Sequence, residues 1–468
     1  MESTAADRDL ILSKPGLFPL RFLGVGVYLA WLFTTHFSTS VFETSDRALD
    51  SLILSNLANL TCLVLAAFFA RKIAPISTKK GFVWTAGASS FLGTAVASLA
   101  PLGAVAGDFL FVAGNALIGA GTSLLILIWS ELYASLPRRD ASIFYSSSFM
   151  LAAILFYAVS MLDSLWQIAI IALLPVVSMT MLTLSLRLLP DQAEEVKESA
   201  ESHWSFPIRP SILLAVYAFA STLSRSMSFD SNDVGMLGML LIAAIVLVCN
   251  VFLFDKFDAR LLYKVTPPLM IGGFLLISFF SGFDGLGNVL LNAGFSGFVI
   301  LTLIVLSNIS YTYGVTAIWL FGLTRAFRVL ASTAAAYGYS WAASVGLDDK
   351  AVFGAFAIVL IATCAMFFLS DKDFTSTWGI NPLPAKRSDA VEEFFETLQG
   401  KCSIIAHRFG LTQREEEVLV LLAQDKSIAE VEEALVISNG TAKSHIRHIY
   451  AKLDVHAREE IVEMVRDL

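Results

Sequence analysis

Charged residues are scarce in this chain. Asp, Glu, Lys and Arg make up 15% of the 468 residues, whereas soluble domains usually carry about a quarter. Hydrophobic residues reach 56%, 36 of them are Phe, and the mean hydropathy is +0.70. A composition of this kind excludes a wholly soluble protein and indicates that most of the chain is built to lie in lipid.

Cysteine is also scarce, and the sequence lacks the patterns of common catalytic sites. The four cysteines show no CxxC and no regular spacing, which excludes a disulfide framework and a zinc site. There is no Ser/His/Asp grouping, no paired-carboxylate cleft, no Walker motif and no receiver-like phosphoacceptor. We therefore expect no enzymatic activity, no metal and no cofactor. The cysteines are Cys62, Cys249, Cys364 and Cys402.

Long apolar runs occur in two groups of six, each run near the roughly 20 residues that cross a bilayer. Between the groups, the stretch from Leu189 to Pro210 carries five acidic residues and is bracketed by prolines, so it must be a solvated loop. The first run is long enough to span and is interpreted as a membrane helix rather than a signal peptide. The runs lie near 17–37, 51–70, 81–100, 108–130, 141–162, 164–186, 211–229, 234–254, 267–283, 288–309, 328–346 and 351–369.

Basic residues test the orientation of these runs, because cytoplasmic loops carry an excess of Lys and Arg. With the N-terminus inside, 18 of the 21 basic residues before the tail fall on the inner side. Arg325, just ahead of the eleventh run, and Arg328, its first residue, are counted there, and Arg225 lies near the outer end of the seventh. The split predicts twelve spans with both termini in the cytoplasm.

Twelve helices in two halves joined by a long central cytoplasmic loop resemble the major facilitator fold. Transporters of that fold usually carry Gly and Asp with basic residues between the second and third helices. Here that loop reads RKIAPISTKK over residues 71–80, which has the basic residues without the Gly and Asp. The resemblance thus implies an all-α membrane bundle, and the departure favours sensing over transport.

Ionisable and amide groups inside membrane spans are costly, so each is a candidate functional group. The resemblance implies that the first, fourth, seventh and tenth helices line a central cavity. We single out Glu131 as a possible gate, Arg225 as a possible contact for an anionic ligand, and Asn308. The alternatives are ion pairs, of Glu131 with Arg138 or Arg139 and of Arg225 with Asp230 or Asp233. Arg21, His36 and Asn115 fall on the same helices.

Glycines in the fourth span have two possible interpretations. Gly114, Gly119 and Gly121 could belong to a nucleotide-binding loop, but they sit within an apolar run. Small residues at such positions let membrane helices approach closely, so we interpret them as packing residues.

After Ser370 the composition turns polar. Residues 1–370 are expected to form the membrane domain, 371–400 a linker with some local helix, and 401–468 a small domain. Within the small domain, Thr412 with Glu415 and Ser427 with Glu430 have the spacing of capping boxes, which start helices. Ser438 can cap a third helix, and a fourth covers about 458–466. The inward positions at helical spacing are Val418, Leu419, Leu422, Val431, Leu435, Ala442, Ile446, Ile449, Leu453, Ile461, Val462 and Val465.

The small domain resembles the LuxR-type DNA-binding domain in phase over some 50 residues. The matching positions are Leu411-Thr412, Arg414-Glu415, Glu417-Val418-Leu419, Leu421-Leu422-Ala423, Ile437-Ser438, Thr441, Lys443, His445, Ile449, Lys452-Leu453, Val455 and Arg458.

This resemblance implies that the third helix enters the major groove of DNA. Lys443, Ser444 and Arg447 match the base-reading positions, and Thr441, His445 and Lys452 match positions at or near phosphates. It also implies a homodimer that pairs through the fourth helix, which contains Ile461 and Val465. Residues 386–468 carry 11 basic and 16 acidic residues, so nonspecific DNA binding should be weak.

The sequence therefore predicts a membrane-bound one-component transcription regulator that senses a small molecule. It would sit in a bacterial inner membrane, with lipid and promoter DNA as its partners. The alternative from another class is a secondary transporter with a regulatory tail. A third interpretation is a tail that only dimerises.

Overall fold

Helices account for the architecture of the chain, as its apolar runs predict. The computed structural model describes residues 19–37, 45–100, 107–186, 206–228, 232–252, 260–313, 315–368 and, apart from 425, 436, 454, 456 and 457, residues 398–466. These ranges contain no strand. The chain divides into two compact units, Met1–Asn381 and Pro382–Leu468.

Twelve long helices form the described part of the first unit, one for each predicted run. Nine of those described are long and apolar enough to cross a membrane. A 3-10 turn, Pro19–Leu23, leads into the first helix, and a short helical turn, Ala70–Ile73, follows the second. The helices are α1 Gly24–Phe37, α2 Ser45–Phe68, α3 Lys80–Leu99, α4 Gly107–Ala134, α5 Arg138–Ser160, α6 Ser164–Leu186, α7 Ile208–Met227, α8 Asn232–Phe252, α9 Arg260–Phe279, α10 Asp284–Tyr313, α11 Ala317–Ser344 and α12 Lys350–Phe368.

The two halves of this bundle repeat the same packing. In the first half α4 packs against α2 and α3, and α1 packs against α5 and α6. In the second half α10 packs against α8 and α9, and α7 packs against α11 and α12. The halves meet where α2 contacts α11 and α5 contacts α8. Each contact thus recurs with the helix numbers raised by six, which is the internal symmetry of a six-plus-six bundle.

Glycines stand at the closest crossings in both halves. A Cβ atom on Gly119 of α4 would lie 2.1 Å from the backbone oxygen of Ser55 on α2. At the matching crossing, a Cβ on Gly238 of α8 would lie 2.0 Å from the backbone oxygen of Val289 on α10. These distances leave no room for a side chain, which agrees with a packing role for the glycines of α4.

The eleventh helix begins earlier than the sequence predicts. The apolar run was placed at 328–346, but α11 covers Ala317–Ser344. Arg325 and Arg328 therefore lie inside the helix, and the predicted start of the eleventh run at residue 328 is wrong. Arg325 is only 8% exposed. A hydropathy window ends at such residues because it counts their charge and takes no account of their neighbours.

The second unit contains five helices within its described residues. The four predicted ones are α14 Gln413–Ala423, α15 Ile428–Leu435, α16 Asn439–Leu453 and α17 Arg458–Arg466, and they follow an additional helix, α13 Leu398–Phe409. Cys402 and Ile405 of α13 are buried in the same core as Val418, Leu419 and Ile449. The start of α13 lies within the predicted linker, so part of that segment belongs to the folded unit.

The apolar stripe of α17 is buried, as the sequence predicts. Ile461 is 0% exposed and Val465 is 2% exposed, and both pack in the core of the second unit. These two side chains therefore face the core, and the pairing of two subunits through α17 stays a prediction.

We predict that Gly119→Ala destabilises the membrane unit by about 1–3 kcal/mol, the usual effect of overpacking. The added methyl group has no space beside Ser55, so α2 and α4 must move apart. The measurement is thermal unfolding of the purified chain in detergent. The control is Gly338→Ala in α11, where no atom lies within 4 Å of the new Cβ. Equal stabilities of the two variants would contradict the prediction.

Candidate nucleic-acid interface and buried polar groups

Two reciprocal capping boxes start α14 and α15, as the sequence predicts. The Thr412 backbone N–H donates to Glu415 Oε2 at 2.7 Å, and the Glu415 N–H donates to Thr412 Oγ1 at 3.4 Å. At α15, the Ser427 N–H donates to Glu430 Oε2 at 2.8 Å, and the Glu430 N–H donates to Ser427 Oγ at 3.4 Å. The boxes satisfy N–H groups that a helix start leaves without partners.

The α16 helix has a buried face and an exposed cationic face. Ser438 caps it, because the Thr441 N–H donates to Ser438 Oγ at 3.2 Å. Ala442, Ile449 and Leu453 are buried in the core of the unit. On the other side Thr441, Lys443 and Arg447 are exposed, and Ser444 and His445 are half-buried. The predicted base-reading positions thus lie together on the accessible side of one helix.

Lys452 is held within the unit. Its Nζ atom donates to Glu415 Oε2 at 2.6 Å and to the backbone oxygen of Gly410 at 3.0 Å. An ammonium has three N–H donors, so two of the three are engaged by the protein. Lys452 therefore ties the end of α16 to the start of α14, and its predicted phosphate contact stays a prediction.

Glu415 is the centre of this connection. Burial disfavours its charged form, but the hydrogen bonds from Lys452 and Thr412 outweigh burial and lower the pKa of Glu415 to about 2. His448 Nδ1 lies 3.9 Å from Glu415 Oε1. One carboxylate thus caps α14 and holds the end of α16 in place.

In the membrane unit, Glu131 binds a loop. Its two carboxylate oxygens accept hydrogen bonds from the backbone N–H of Ile76 at 3.1 Å and of Ser77 at 2.8 Å. These residues belong to the segment between α2 and α3 in which the Gly and Asp of transporters are missing. The sequence predicts a gate or an ion pair with Arg138 or Arg139 for this residue. In the structure Glu131 holds the backbone of the loop, and its role as a gate stays a prediction.

Arg225 and Asn308 lie on the helices predicted to line a cavity. Arg225 Nη2 donates to Ser221 Oγ at 3.1 Å, one turn earlier on α7. The alternative partners Asp230 and the side chain of Asp233 lie outside the described residues. Asn308 is half-buried on α10, next to Ser307, whose hydroxyl lies 3.2 Å from Tyr145 Oη of α5.

The remaining candidates are engaged in packing between helices. His36 Nε2 lies 2.9 Å from Ser55 Oγ on α2, and the Asn115 side-chain oxygen accepts a hydrogen bond from Ser51. The guanidinium of Arg21 lies 5.9 Å from the ring centre of Phe22. The described residues contain no group of three or more His, Cys, Asp or Glu that could hold a metal ion.

Sequence reasoning missed a set of buried groups between the halves. Arg325 and Arg328 of α11 interact electrostatically with Tyr28 of α1, and Arg325 also interacts with Tyr145. Arg328 in addition interacts with Arg225 of α7. The i, i+3 spacing of Arg325 and Arg328 places both on one helix face, and that spacing was the available signal.

The second unit is a helix-turn-helix unit with an exposed cationic helix, and the described part of the first unit is a bundle of twelve long helices. These two features define the class of membrane-anchored helix-turn-helix proteins. Residues 410–465 match the family described as bacterial regulatory proteins, luxR family. The spore germination protein GerE of Bacillus subtilis is 44% identical over 57 residues, which are 12% of this chain and 77% of GerE. The chain belongs to the luxR family of bacterial regulatory proteins.

A second relative matches over a longer segment. The uncharacterized response regulatory protein YgeK of Escherichia coli is 32% identical over 90 residues, 17% of this chain. The match spans 61% of the length of YgeK, so less than two thirds of that relative is covered. The family relation therefore rests on the C-terminal unit.

The membrane unit is similar to solved transporters in fold. A bacterial homologue of the iron transporter ferroportin has a TM-score of 0.55 at 15% identity, covering 75% of this chain and 96% of its own. The major facilitator superfamily proton:xylose symporter XylE has a TM-score of 0.51 at 12% identity, covering 75% and 94%. At such identities the likeness shows the fold alone, and it confirms the major facilitator architecture.

We predict that Glu415→Gln lowers the melting temperature of a fragment covering 398–468 at pH 7 by about 4–8 °C, the shift that about 1 kcal/mol gives in a domain of this size. A carboxylate with a pKa lowered to about 2 stabilises the fold fully above its ordinary value, near ~4.3. That stability is lost as the pH falls towards 2. The melting temperature of Glu415→Gln should therefore fall less than that of the wild type as the pH is lowered from 7 to 2.

The control for this prediction is Glu416→Gln, the adjacent half-buried carboxylate. Melting curves followed by circular dichroism between pH 7 and pH 2 provide the comparison. If Glu416→Gln and Glu415→Gln had the same melting temperature at every pH, Glu415 would contribute no more to the stability of the unit than its neighbour does.

Proposed function

We propose that this protein is a membrane-bound one-component transcription regulator. Residues 1–370 sense a small molecule, residues 371–400 link the units, and residues 401–468 bind promoter DNA. The observation that carries the proposal is the exposed face of α16, with Lys443 and Arg447 on the side of the helix away from its core. The proposal assigns no catalytic step to the chain.

DNA recognition would use one face of α16. Lys443, Ser444 and Arg447 are the proposed base contacts, since long cationic side chains reach the acceptor groups of guanine in the major groove. Thr441, His445 and Lys452 are the proposed phosphate contacts. The acidic balance of residues 386–468 limits nonspecific binding, so occupancy depends on these local contacts.

DNA binding by this unit would be as a homodimer. The resemblance to LuxR-type domains supports a pairing surface on α17, and the burial of Ile461 and Val465 leaves its other faces for this role. Val462 and Met464 are half-buried and Glu460 is exposed. Pairing through these residues leaves the core of the unit intact.

Sensing would work by a shift between conformations of the membrane unit. A ligand changes such an equilibrium only as far as its affinities for the two conformations differ. The contacts of α2 with α11 and of α5 with α8 are where the halves can move relative to one another. The proposed location is the bacterial cytoplasmic membrane, with both termini inside.

The shared fold with transporters favours a second candidate, a secondary transporter with a regulatory tail. Coupled transport commonly uses ionisable groups within the spans. Both carboxylate oxygens of Glu131, the acid singled out inside the spans, are engaged by the backbone of a loop. The regulator is therefore the better supported function.

We predict that Lys443→Ala combined with Arg447→Ala abolishes discrete promoter occupancy by the membrane-bound chain. Losing a base contact costs about 1–3 kcal/mol, so two losses reduce specific affinity by roughly 30-fold or more. The measurement is genome-wide capture of DNA bound to the protein in its membrane.

The matched control is Lys426→Ala. Lys426 pairs with Glu430 at 3.2 Å at the start of α15, away from the face of α16, and its loss should leave the peaks in place. An absence of peaks for the wild type under varied growth conditions would favour the transporter. Peaks that persist in the double variant would favour a tail that only dimerises.

We also predict the orientation. A fluorescent protein fused after Leu468 should mature, because it stays in the cytoplasm, whereas one fused within the segment 280–283, between α9 and α10, should be exported and remain dark. Alkaline phosphatase fused at the same two sites should show the opposite pattern. The reverse result for either site would overturn the assignment.

A further inference from the structure

The ion pair of Lys452 with Glu415 differs from the surface pair of Lys426 with Glu430. In the first, the Nζ atom lies 2.6 Å from Glu415 Oε2, and the Glu415 side chain is only 5% exposed. In the second, both side chains are more than 40% exposed and lie four residues apart in the sequence. Surface pairs are weak, whereas solvent ions screen a partly buried pair much less. Glu415 therefore holds Lys452 more strongly than Glu430 holds Lys426.

Lys452 is also one of the proposed phosphate contacts on α16. Thr441, His445 and Lys452 follow one another at intervals of four and seven residues, which brings them onto one side of an α-helix. The Lys452 side chain is 35% exposed, so its third N–H donor remains accessible. The same ammonium group is thus wanted by Glu415 within the protein and by the DNA backbone outside it.

Glu415 offers Lys452 the kind of partner that DNA offers. A carboxylate and a phosphate both present anionic oxygens, and a lysine ammonium binds either of them as a compact point charge. The Thr412 backbone N–H and hydroxyl donate to Glu415 Oε2 at 2.7 Å and 2.9 Å. The carboxylate therefore keeps two hydrogen bonds when Lys452 leaves it, and the transfer of Lys452 to a phosphate leaves neither anion without a partner.

We propose that Glu415 competes with the DNA backbone for Lys452 and thereby limits the affinity of the second unit for DNA. This proposal rests on the DNA-binding function proposed above and makes Glu415 a positioning residue for it. Residues 386–468 carry 11 basic and 16 acidic residues. With so few cations, withholding one of them removes a substantial part of the attraction to phosphates.

The competition acts mainly on nonspecific DNA. Nonspecific binding comes from phosphate contacts, whereas base contacts carry the sequence information. The proposed base contacts Lys443 and Arg447 are exposed on α16 and do not depend on the pair of Glu415 with Lys452. Glu415 therefore raises the ratio of promoter binding to binding elsewhere.

Competition and a purely structural role of Glu415 lead to different results. Either role lowers the thermal stability of Glu415→Gln, because the ion pair with Lys452 is lost. A structural role alone also weakens DNA binding, because the end of α16 is held less well. Competition strengthens DNA binding, because glutamine keeps an oxygen for the Thr412 N–H and removes the charge that retains Lys452.

The test uses the full-length chain purified in a neutral detergent and a fluorescein-labelled DNA duplex of mixed sequence. Fluorescence anisotropy gives the dissociation constant at sodium chloride concentrations between about 50 and 200 mM, the range in which phosphate contacts are sensitive to salt. The variants are Glu415→Gln, Lys452→Ala and their combination, measured below the onset of unfolding of each. The control is Glu416→Gln, which removes the adjacent half-buried charge.

We expect Glu415→Gln to bind the duplex about tenfold more tightly than the wild type at about 50 mM salt. The plot of log affinity against log salt should be steeper by about 0.9, the slope of one additional phosphate contact. Glu416→Gln should change both quantities far less. The combined variant should bind as Lys452→Ala does, because it has no ammonium group for residue 415 to hold.

The competition is overturned if Glu415→Gln binds the duplex no more tightly than the wild type, or if the same gain appears in the Lys452→Ala background. Promoter capture separates this failure from failure of the regulator. Peaks that depend on Lys443 and Arg447, without a gain in Glu415→Gln, retain the regulator and reject the competition. A gain in Glu415→Gln without promoter peaks in the wild type retains the competition and rejects the regulator. No binding by any variant at the lowest salt concentration rejects both.

Discussion

A polar group inside a bilayer has no water to bind, so it must find its partner within the protein. This constraint organises the membrane unit. Hydroxyl groups commonly donate to their own helix, as Thr34 does to the backbone oxygen of Ala30 at 2.8 Å. Amides join neighbouring helices, as Asn288 does by accepting from Ser224 of α7 at 3.0 Å. Arg325 and Arg328 are among the exceptions, because their buried Nε atoms lack such a partner.

The membrane helices must also pack closely against one another, and both halves of the bundle achieve this with a glycine where two helices cross. Gly119 and Gly238 occupy matching crossings of the two halves, although the surrounding sequences have little in common. The repeat therefore conserves the space between backbones rather than the side chains around it. The repeat also relates the two main contacts between the halves, α2 against α11 and α5 against α8.

Much of this architecture follows from the sequence, because its strongest signals are local. Apolar length gives twelve helices, and serine or threonine with glutamate three residues later gives the starts of α14 and α15. What the sequence did not reveal depends on distant residues. Arg325 is buried by residues that are distant in the sequence, and α13 gains its place only by inserting Cys402 and Ile405 into the core.

The hydrogen bonds between Glu131 and the α2–α3 loop have a consequence for which substitutions the loop can accept. The carboxylate holds the backbone N–H groups of Ile76 and Ser77, and every residue except proline offers a backbone N–H. The two hydrogen bonds therefore do not depend on the identity of the side chains at these positions, provided that neither becomes proline. Loss of the acid at the end of the fourth helix would instead remove both hydrogen bonds at once.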